Sequence, residues 1–376
     1  MGTAKIVSAR SVMLAAGGTG GHLFPALALA QELGRRAIGV DLVTDQRGDR
    51  YGADFPARAV YRVPSATLRE RSLLGAARTG SMLLRGIAAA FRLLGELRPG
   101  AVVGFGGYPA FPPLVAARLR GIPTAVHEQN AVLGRANRML AMRVNAIATS
   151  FEPTKHLEGA ARSRARLTGN PVRDLVIDWS ARAYLAPSRD GPFSLLVFGG
   201  SQGARFFSDT LPPALAMLSD ALRGSLFVVQ QCREEDLARV EAAYRDAGVR
   251  AHLATFFANL PEEMAKAHLV IGRAGASTVA ELTVMGRPAI LVPLPQSIDD
   301  DQLNNATRLA ESGAAWCIEQ KELTPERLAS AISRLLGAPD MLAQAAAAAK
   351  RQGRPDAVVR LADLVEELIG SRQKSA

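Results

Sequence analysis

The sequence has few of the features that mark extracellular, zinc-binding or membrane-spanning proteins. It contains only two cysteines, Cys232 and Cys317, which lie far apart in the chain. They form neither a CxxC pair nor a disulfide framework, which indicates a reducing compartment and argues against a zinc site. No apolar run reaches the roughly 18–20 residues that a membrane-spanning helix needs.

The amino-terminal segment also lacks a convincing export signal. MGTAKIVSARSVMLAAGG combines basic residues with a short apolar run, as signal peptides do. The run leads directly into GGTGGH (17–22), which is more typical of a strand followed by a phosphate-binding turn. We therefore predict a cytoplasmic protein without an exported segment.

Acidic residues are scarce in the first half of the chain. The whole chain has 45 Lys and Arg against 35 Asp and Glu, which is a net charge of +10. Residues 1–175 have 24 basic and 11 acidic residues, or +13, whereas residues 176–376 have 21 and 24, or −3. Codon bias alone does not explain so sharp a division. The asymmetry predicts that the first half faces something anionic: nucleic acid, a membrane surface or a phosphorylated substrate.

One amphipathic stretch, residues 65–98, has six arginines against two glutamates and so contributes +4 to this excess. Three of its arginines recur every seven residues and so fall on one stripe of a helix. An apolar face beside a basic stripe suits the headgroup layer of an anionic membrane, whereas the alternative is a core-facing helix with a solvated arginine edge. The residues predicted to contact the membrane are Leu73, Leu74, Arg78, Leu83, Leu84, Arg85, Phe91 and Arg92.

Short apolar segments alternate with stretches of helical spacing, which predicts parallel sheets with helices on both faces. Both halves of the chain open with a strand, a glycine-rich turn and a helix. We therefore predict an α/β protein of two Rossmann-like, doubly wound domains, over residues 1–175 and 176–355. The predicted strands are 11–16, 38–44, 101–105, 124–128, 145–150, 192–200, 225–231, 250–256, 268–273 and 288–294.

Turn-forming residues mark the connections between these domains. GNPVRD and APSRDGP predict a linker near residues 170–192. Helices are predicted at 234–247, 277–285 and 341–350, and a terminal helix at about 356–370. The last residues, SRQKSA, are predicted to be frayed.

Glycine-rich turns at strand ends predict anion binding. GGTGGH (17–22) places free N–H groups and a helix N-terminus beside any ligand phosphate. It matches neither the dinucleotide GxGxxG pattern nor a Walker A motif. His22 opens the following helix, where the helix terminus disfavours its charged form, and is a candidate general base. A simple turn with an incidental histidine is the alternative.

Four further motifs follow predicted strands, at the edge of the sheet where such folds bind ligands. GFGGYP (104–109) carries Tyr108, and HEQNA (127–131) is a polar run that is costly to bury without a purpose, unless it is an exposed loop. GGSQGAR (199–205) and GRAGASTVAEL (272–282) are further anion-binding turns. A fifth loop, PLPQSIDDDQLNNA (293–306), offers Gln302 and Asn305 to sugar hydroxyls. Together these loops predict a site for a large, polyphosphorylated ligand.

The order and spacing of GGTGGHLFPALALA, GFGGYP, HEQNAVLGRANR, TGNPVR, GGSQGAR and RAGASTVAEL resemble the MurG family, glycosyltransferase family 28. The resemblance covers nearly the whole chain. It implies the GT-B fold, in which two Rossmann-like domains face a cleft and the final helix, about 356–376, returns to the first domain. It also implies an inverting enzyme that moves N-acetylglucosamine from UDP-GlcNAc to the 4-hydroxyl of undecaprenyl-diphosphate-linked MurNAc-pentapeptide (lipid I to lipid II).

The same resemblance assigns residues and partners. It implies catalytic or acceptor-site roles for His22, Tyr108, His127 and Glu128. The implied UDP-GlcNAc residues are Thr19, Gly20, Gly21, Asn130, Arg173, Ser201, Phe257, Ala276, Ser277, Thr278, Val279, Ala280, Glu281 and Gln302. The implied partners are UDP-GlcNAc, lipid I and the cytoplasmic face of the bacterial inner membrane, with cell-wall and division proteins as candidates. No DxD-like motif lies in a position that suggests a divalent diphosphate clamp, because the Asp299–Asp301 run is interpreted as a solvated loop. We therefore expect no metal or other cofactor, with helix dipoles and arginine stabilising the leaving diphosphate.

Two rival functions stay open at this stage. The same fold could carry a UDP-GlcNAc 2-epimerase or a glycosyltransferase with a soluble acceptor, although the basic amphipathic stretch argues against both. A nucleic-acid-binding protein would use the +13 half, but no helix-turn-helix, RNA-recognition or zinc signature supports it. We therefore expect no nucleic-acid partner.

Overall fold

The computed structural model of this chain describes residues 10–17, 20–45, 55–65, 73–188, 191–200 and 204–375. The chain divides into two units. Unit 1 comprises Met1–Arg173 and Asp356–Ala376, and unit 2 comprises Asp174–Pro355. Each unit is built on one parallel sheet, so the predicted pair of Rossmann-like α/β domains is confirmed.

The sheet of unit 1 has seven parallel strands in the order β3-β2-β1-β4-β5-β6-β7. The strand order reverses between β1 and β4, because the chain runs outward from β1 to β3 and then returns. Ligands of such sheets bind at this reversal, beyond the carboxyl ends of the strands. The strands are β1 (Ser11–Ala15), β2 (Gly39–Thr44), β3 (Ala59–Arg62), β4 (Ala101–Gly104), β5 (Thr124–Glu128), β6 (Ala146–Thr149) and β7 (Ala165–Leu167).

Helices cover both faces of this sheet, which explains why the central strands are apolar on both sides. Val12 and Leu14 of β1 pack into one apolar cluster, whereas Met13 and Ala15 pack into the cluster on the opposite face. The helices of unit 1 are α1 (Gly20–Arg35), α2 (Leu73–Leu97), α3 (Gly107–Leu119), α4 (Arg135–Ala141), α5 (Gly159–Arg162) and, after unit 2, α15 (Ala357–Ser375).

The final helix, α15, is part of the core of unit 1. Its buried Leu361, Val365 and Leu368 pack with β1 and α1. Arg36 on α1 donates hydrogen bonds to Asp363 at 2.6 Å and to Glu366 at 2.7 Å. The prediction that residues 371–376 are frayed is wrong for 371–375, which continue the helix. Arg372 donates to the Pro99 carbonyl, an anchor that the polar composition of the tail did not reveal.

Helix α2 passes close to the backbone of Pro64 at Gly86, where there is no space for a side chain. A Cβ atom at this position would lie 2.1 Å from the Pro64 carbonyl oxygen, whereas a Cβ at Gly80 of the same helix would meet nothing within 4 Å. We expect Gly86→Ala to lower the free energy of unfolding by about 1–3 kcal/mol because the helix must move. Gly80→Ala is the matched control and should raise it by up to about 1 kcal/mol through helix propensity. Urea denaturation followed by circular dichroism measures both, and equal effects would contradict the close approach.

The sheet of unit 2 has six parallel strands in the order β10-β9-β8-β11-β12-β13, with the reversal between β8 and β11. The strands are β8 (Phe193–Phe198), β9 (Leu226–Gln231), β10 (Arg250–Ala254), β11 (Leu269–Gly272), β12 (Ala289–Leu291) and β13 (Ala315–Cys317). The helices are α6 (Asp174–Ser180), α7 (Arg205–Ala216), α8 (Asp220–Ser225), α9 (Leu237–Asp246), α10 (Leu260–Lys266), α11 (Ala276–Met285), α12 (Asp301–Glu311), α13 (Pro325–Leu336) and α14 (Pro339–Gln352).

All ten predicted strands are present, within three residues at each end. Three strands were missed: β3, β7 and β13. Each is the edge strand of its sheet and has three or four residues, so none shows a long apolar run. The predicted linker at 170–192 contains a helix, α6, which packs against α10 and α11.

Candidate active site

The first glycine turn of unit 1 connects β1 to α1 at the reversal of strand order. His22 lies in the first turn of α1 and is half-buried. The second glycine turn, after β4, packs directly against its imidazole ring. Gly106 and Gly107 both have positive φ, 85° and 69°, and a Cβ at Gly107 would lie 3.4 Å from His22 Nε2. Two predicted turns therefore meet at one candidate base, while the predicted Gly18 and Thr19 lie outside the described residues.

A chain of hydrogen bonds runs from His22 into the core. His22 Nδ1 lies 3.1 Å from Gln129 Oε1, and Gln129 Nε2 lies 2.9 Å from His127 Nδ1. His127 Nε2 in turn lies 2.9 Å from the Gly169 carbonyl oxygen. Burial lowers the pKa of His127 to about 4, so this imidazole is neutral at pH 7.

Glu128 is held within its own loop. Its Oε1 accepts from the backbone and side-chain nitrogens of Asn130, and its Oε2 accepts from Gly134 N and Asn137 Nδ2. Burial raises the pKa of this carboxyl, while the four hydrogen bonds oppose that shift. The side chain is only 2% exposed. The hydrogen bonds that this carboxylate accepts therefore hold the loop that follows β5 in place.

The predicted polar run HEQN covers the last two residues of β5 and the two that follow, and it is largely buried rather than an exposed loop. His127, Glu128 and Gln129 are each at most 2% exposed. The free-energy cost of burying these polar side chains is offset because each of them is hydrogen-bonded. Asn130 is half-buried at the end of the run.

Other predicted residues of unit 1 surround this network. Tyr108 lies in the first turn of α3 and is half-buried, next to the glycines that contact His22. Gly20 and Gly21 begin α1. Arg173 places its guanidinium 4.6 Å from the centroid of the Phe24 ring on α1.

Three amides of unit 1 were given no site role from the sequence. Gln129 bridges the two histidines, and Asn137 donates to both the His127 carbonyl and Glu128. Asn170 is 6% exposed, and within the described part of the chain neither of its side-chain polar atoms has a partner. The strand-end position of HEQN signalled Gln129, and Asn137 and Asn170 lie within the motifs HEQNAVLGRANR and TGNPVR, but nothing in the sequence indicated what their side chains contact.

In unit 2, the strongest candidate lies after β11, at the N-terminus of α11. The helix begins at Ala276 after Gly275, and no side chain caps its first turn. Ser277 Oγ is buried and has no hydrogen-bond partner among the residues that the structure describes. The predicted stretch 276–281 thus presents free N–H groups and a hydroxyl, which suits a phosphate oxygen. Glu281, one turn further on, is 5% exposed.

The loop after β12 is held by two residues. Gln302, in the first turn of α12, accepts a hydrogen bond from Leu294 N at 3.1 Å. Arg273, which was not predicted, donates to the carbonyls of Val292 and Pro293. Burial lowers its pKa to about 10, so it stays charged at pH 7. Asn305 Nδ2 donates a hydrogen bond to the Ala274 carbonyl, close to the start of α11.

The remaining predicted residues are less informative. Phe257 is buried after β10, with its ring edge-on to His252 at a centroid distance of 5.5 Å. Ser201 lies outside the described residues. Of the third glycine turn (199–205), which follows β8, the structure therefore describes residues 199–200 and the start of α7, which no side chain caps.

The predicted membrane-contact residues lie on α2. Arg78, Arg85 and Arg92 are exposed, as are Leu84 at 69% and Phe91 at 38%. Arg120 stacks its guanidinium 3.8 Å from the centroid of the Phe91 ring. Leu83 is half-buried, whereas the side chains of Leu73 and Leu74 lie outside the described residues. Among the helices of the described ranges, none is long and apolar enough to cross a membrane.

Two parallel-sheet units with glycine turns at the reversals of strand order are the architecture of the GT-B-like fold, which glycosyltransferases and related sugar-nucleotide enzymes share. The chain belongs to glycosyltransferase family 28 and is an enzyme of that family. The N-terminal domain of the family matches residues 12–149, and the C-terminal domain matches residues 194–361.

Relatives and solved structures agree with this assignment. The UDP-N-acetylglucosamine--N-acetylmuramyl-(pentapeptide) pyrophosphoryl-undecaprenol N-acetylglucosamine transferase of Methylobacterium sp. (strain 4-46) is 54% identical over 357 residues, 95% of this chain and 96% of the relative. The crystal structure of Acinetobacter baumannii MurG is 32% identical with a TM-score of 0.78, covering 95% of this chain and 99% of that one. The UDP-GlcNAc 2-epimerase from Neisseria meningitidis, at 14% identity and a TM-score of 0.66, covers 96% of this chain and 100% of its own, and shares the fold alone.

Proposed function

We propose that this protein transfers N-acetylglucosamine from UDP-GlcNAc to the 4-hydroxyl of MurNAc in undecaprenyl-diphosphate-linked MurNAc-pentapeptide. This reaction converts lipid I into lipid II in peptidoglycan synthesis. The observation that carries the proposal is the 54% identity, over 95% of the chain, to a relative named for this transfer. At 14% identity, the 2-epimerase likeness favours no second function.

The attacking hydroxyl needs a base, and His22 is the candidate. Its Nδ1 is engaged by Gln129 and its Nε2 faces the Gly106–Gly107 turn, where neither residue carries a side chain that would cover the nitrogen. We propose that the acceptor hydroxyl reaches His22 on this side. In a single inverting displacement, the hydroxyl oxygen bonds to C1 of N-acetylglucosamine as the bond from C1 to UDP breaks. His22 takes the hydroxyl proton.

The leaving UDP carries the negative charge that develops during transfer. We assign its diphosphate to the uncapped N-terminus of α11, with Ser277 and Thr278 as hydroxyl donors. The unpartnered Ser277 Oγ supports this assignment, because a buried hydroxyl without a partner is costly. Preorganised N–H groups at such a site stabilise an oxyanion without a bound cation. We therefore propose that the reaction needs no metal.

A transfer assay tests the reaction and the metal requirement together. The purified enzyme, UDP-GlcNAc and a lipid I analogue should yield UDP and the disaccharide product at equal rates with and without EDTA. Loss of turnover in EDTA would overturn the metal-free proposal. Formation of ManNAc or free UDP from UDP-GlcNAc alone, without transfer to the acceptor, would overturn the transferase proposal.

We further propose that the exposed face of α2 binds the anionic cytoplasmic surface of the inner membrane. The exposed Arg78, Arg85 and Arg92 supply positive charge, and Leu84 and Phe91 supply apolar contact beside them. Together they form the mixed surface that inserts at the depth of lipid headgroups.

Neutralising this stripe should weaken binding to anionic vesicles. Because each basic residue near such a surface contributes about 1 kcal/mol, the triple variant Arg78→Gln, Arg85→Gln, Arg92→Gln should bind on the order of 100-fold more weakly. Sedimentation with phosphatidylglycerol vesicles measures the loss. The matched control replaces three exposed arginines of unit 2, Arg245, Arg334 and Arg351, by glutamine. An equal loss in the control would show that net charge, rather than α2, drives binding.

A further inference from the structure

The orientation of the Gln129 side-chain amide is settled by a backbone carbonyl. One terminal atom of this amide lies 3.0 Å from the His127 carbonyl oxygen, which can only accept. That atom is therefore the nitrogen, Nε2, and the other atom, facing His22, is the oxygen. Gln129 is 1% exposed, so no water competes for these contacts.

The protons of His127 follow from a second carbonyl. His127 Nε2 lies 2.9 Å from the Gly169 oxygen and so carries the proton that it donates. His127 Nδ1 then accepts from Gln129 Nε2 at 2.9 Å, which requires it to be unprotonated. A neutral His127 is what its full burial favours, since desolvation opposes the charged form.

Only one proton position remains for neutral His22. Gln129 Oε1 can only accept, so the His22 Nδ1 that lies 3.1 Å from it must carry the proton. We propose that Gln129 is a positioning residue that holds His22 in the Nδ1-protonated tautomer and leaves Nε2 free to take a proton. The catalytic consequence of this inference rests on the proposed function of His22 as the base.

The Nε2 edge of His22 faces the Gly106–Gly107 turn. A Cβ at Gly107 would lie 3.4 Å from His22 Nε2, so a side chain at this position would pack against that nitrogen. The carbonyls of Gly169 and His127 thus fix the proton on His127 Nε2 and the orientation of the Gln129 amide. The Gln129 amide in turn fixes the proton of neutral His22 on Nδ1. A base oriented by a second group is the general arrangement of activated proton acceptors.

Nitrogen-15 NMR of the imidazole rings tests the tautomer without any substrate. Long-range proton–nitrogen correlation distinguishes protonated Nδ1 from protonated Nε2, and His22→Asn assigns the signals among the five histidines. We expect neutral His22 in the wild type to be protonated on Nδ1, although free histidine in water prefers Nε2. Protonation on Nε2 would overturn the inference, whatever the activity.

Variants test whether Gln129 is the cause. Gln129→Met removes the acceptor and should shift His22 toward Nε2 protonation, with kcat falling by about 100-fold and the KM for UDP-GlcNAc nearly unchanged. Gln129→Glu keeps an acceptor oxygen and should keep the Nδ1 proton and more of kcat. The matched control is Gln31→Met on α1, whose Oε1 has no partner within the described residues. Gln31→Met should change neither the nitrogen-15 signals of His22 nor kcat.

The outcomes separate this inference from the proposed function. If Gln129→Met leaves His22 protonated on Nδ1, the positioning role is wrong even where activity falls. If the tautomer shifts and kcat does not, the positioning role stands and the assignment of His22 as base fails. The wild-type spectrum decides the proton position by itself, so the inference stays testable if Gln129→Met does not fold.

Discussion

His22→Asn should lower kcat for transfer by about 10²–10⁴-fold, the usual contribution of a general base. Asparagine keeps an N–H group near the position of imidazole Nδ1, so it can still donate to Gln129 Oε1 and preserve the first turn of α1. It has no basic nitrogen in place of Nε2. Substrate binding should change little, and steady-state kinetics with UDP-GlcNAc and a lipid I analogue separate kcat from KM.

A second histidine of unit 1 provides the matched control. His156 is exposed and has a positive φ of 66°, a conformation that asparagine tolerates. His156→Asn should leave kcat unchanged. Unchanged turnover in His22→Asn would show that another group accepts the proton.

Arg287→Met should lower the free energy of unfolding of unit 2 by roughly 3–5 kcal/mol, because five backbone carbonyls inside unit 2 lose a hydrogen-bond donor. Arg287 is 1% exposed and donates to five backbone carbonyls at the ends of three helices. These carbonyls belong to Arg182, Met264, Ala265, Met285 and Gly286. Burial lowers the pKa of Arg287 to about 10, which still leaves it charged at pH 7. Methionine fills similar space but satisfies none of the carbonyls.

Tryptophan fluorescence during urea denaturation measures this effect selectively. Both tryptophans, Trp179 and Trp316, lie in unit 2 and are half-buried, so their emission reports on that unit. The control is Arg308→Met on α12, where the arginine is 44% exposed and contacts Glu311 at 3.5 Å. Its effect should stay within about 0.5 kcal/mol. A loss below about 1 kcal/mol for Arg287→Met would show that the helix ends hold together without it.

Local pattern was enough to predict the sheets. A strand such as β1 is buried on both faces, so its apolar run shows in the sequence, and all ten predicted strands are present. The edge strands β3, β7 and β13 were missed because short or half-exposed strands leave no such run. The polar run 127–130 was predicted to be costly to bury, with an exposed loop as the alternative, and its first two residues end the buried central strand β5.

The roles of buried polar residues could not be read in the same way. Arg287 looks like any basic residue after a helix, and its acceptors come from segments up to 105 residues away. Gln129 is separated from His22 by 107 residues, and His127 from Gly169 by 42. No periodicity or spacing along the chain records such contacts.

The sequence by itself determined the two Rossmann-like units, the glycine turns at their strand ends and the family, because these depend on apolar periodicity and on short motifs. Only the tertiary structure decided which polar groups meet. Hydrogen-bond direction is set by atoms that folding brings within about 3 Å, and those atoms come from distant parts of the chain. For this reason His22 was a candidate from its position in a motif, whereas the proton pattern around it follows from the carbonyls of Gly169 and His127.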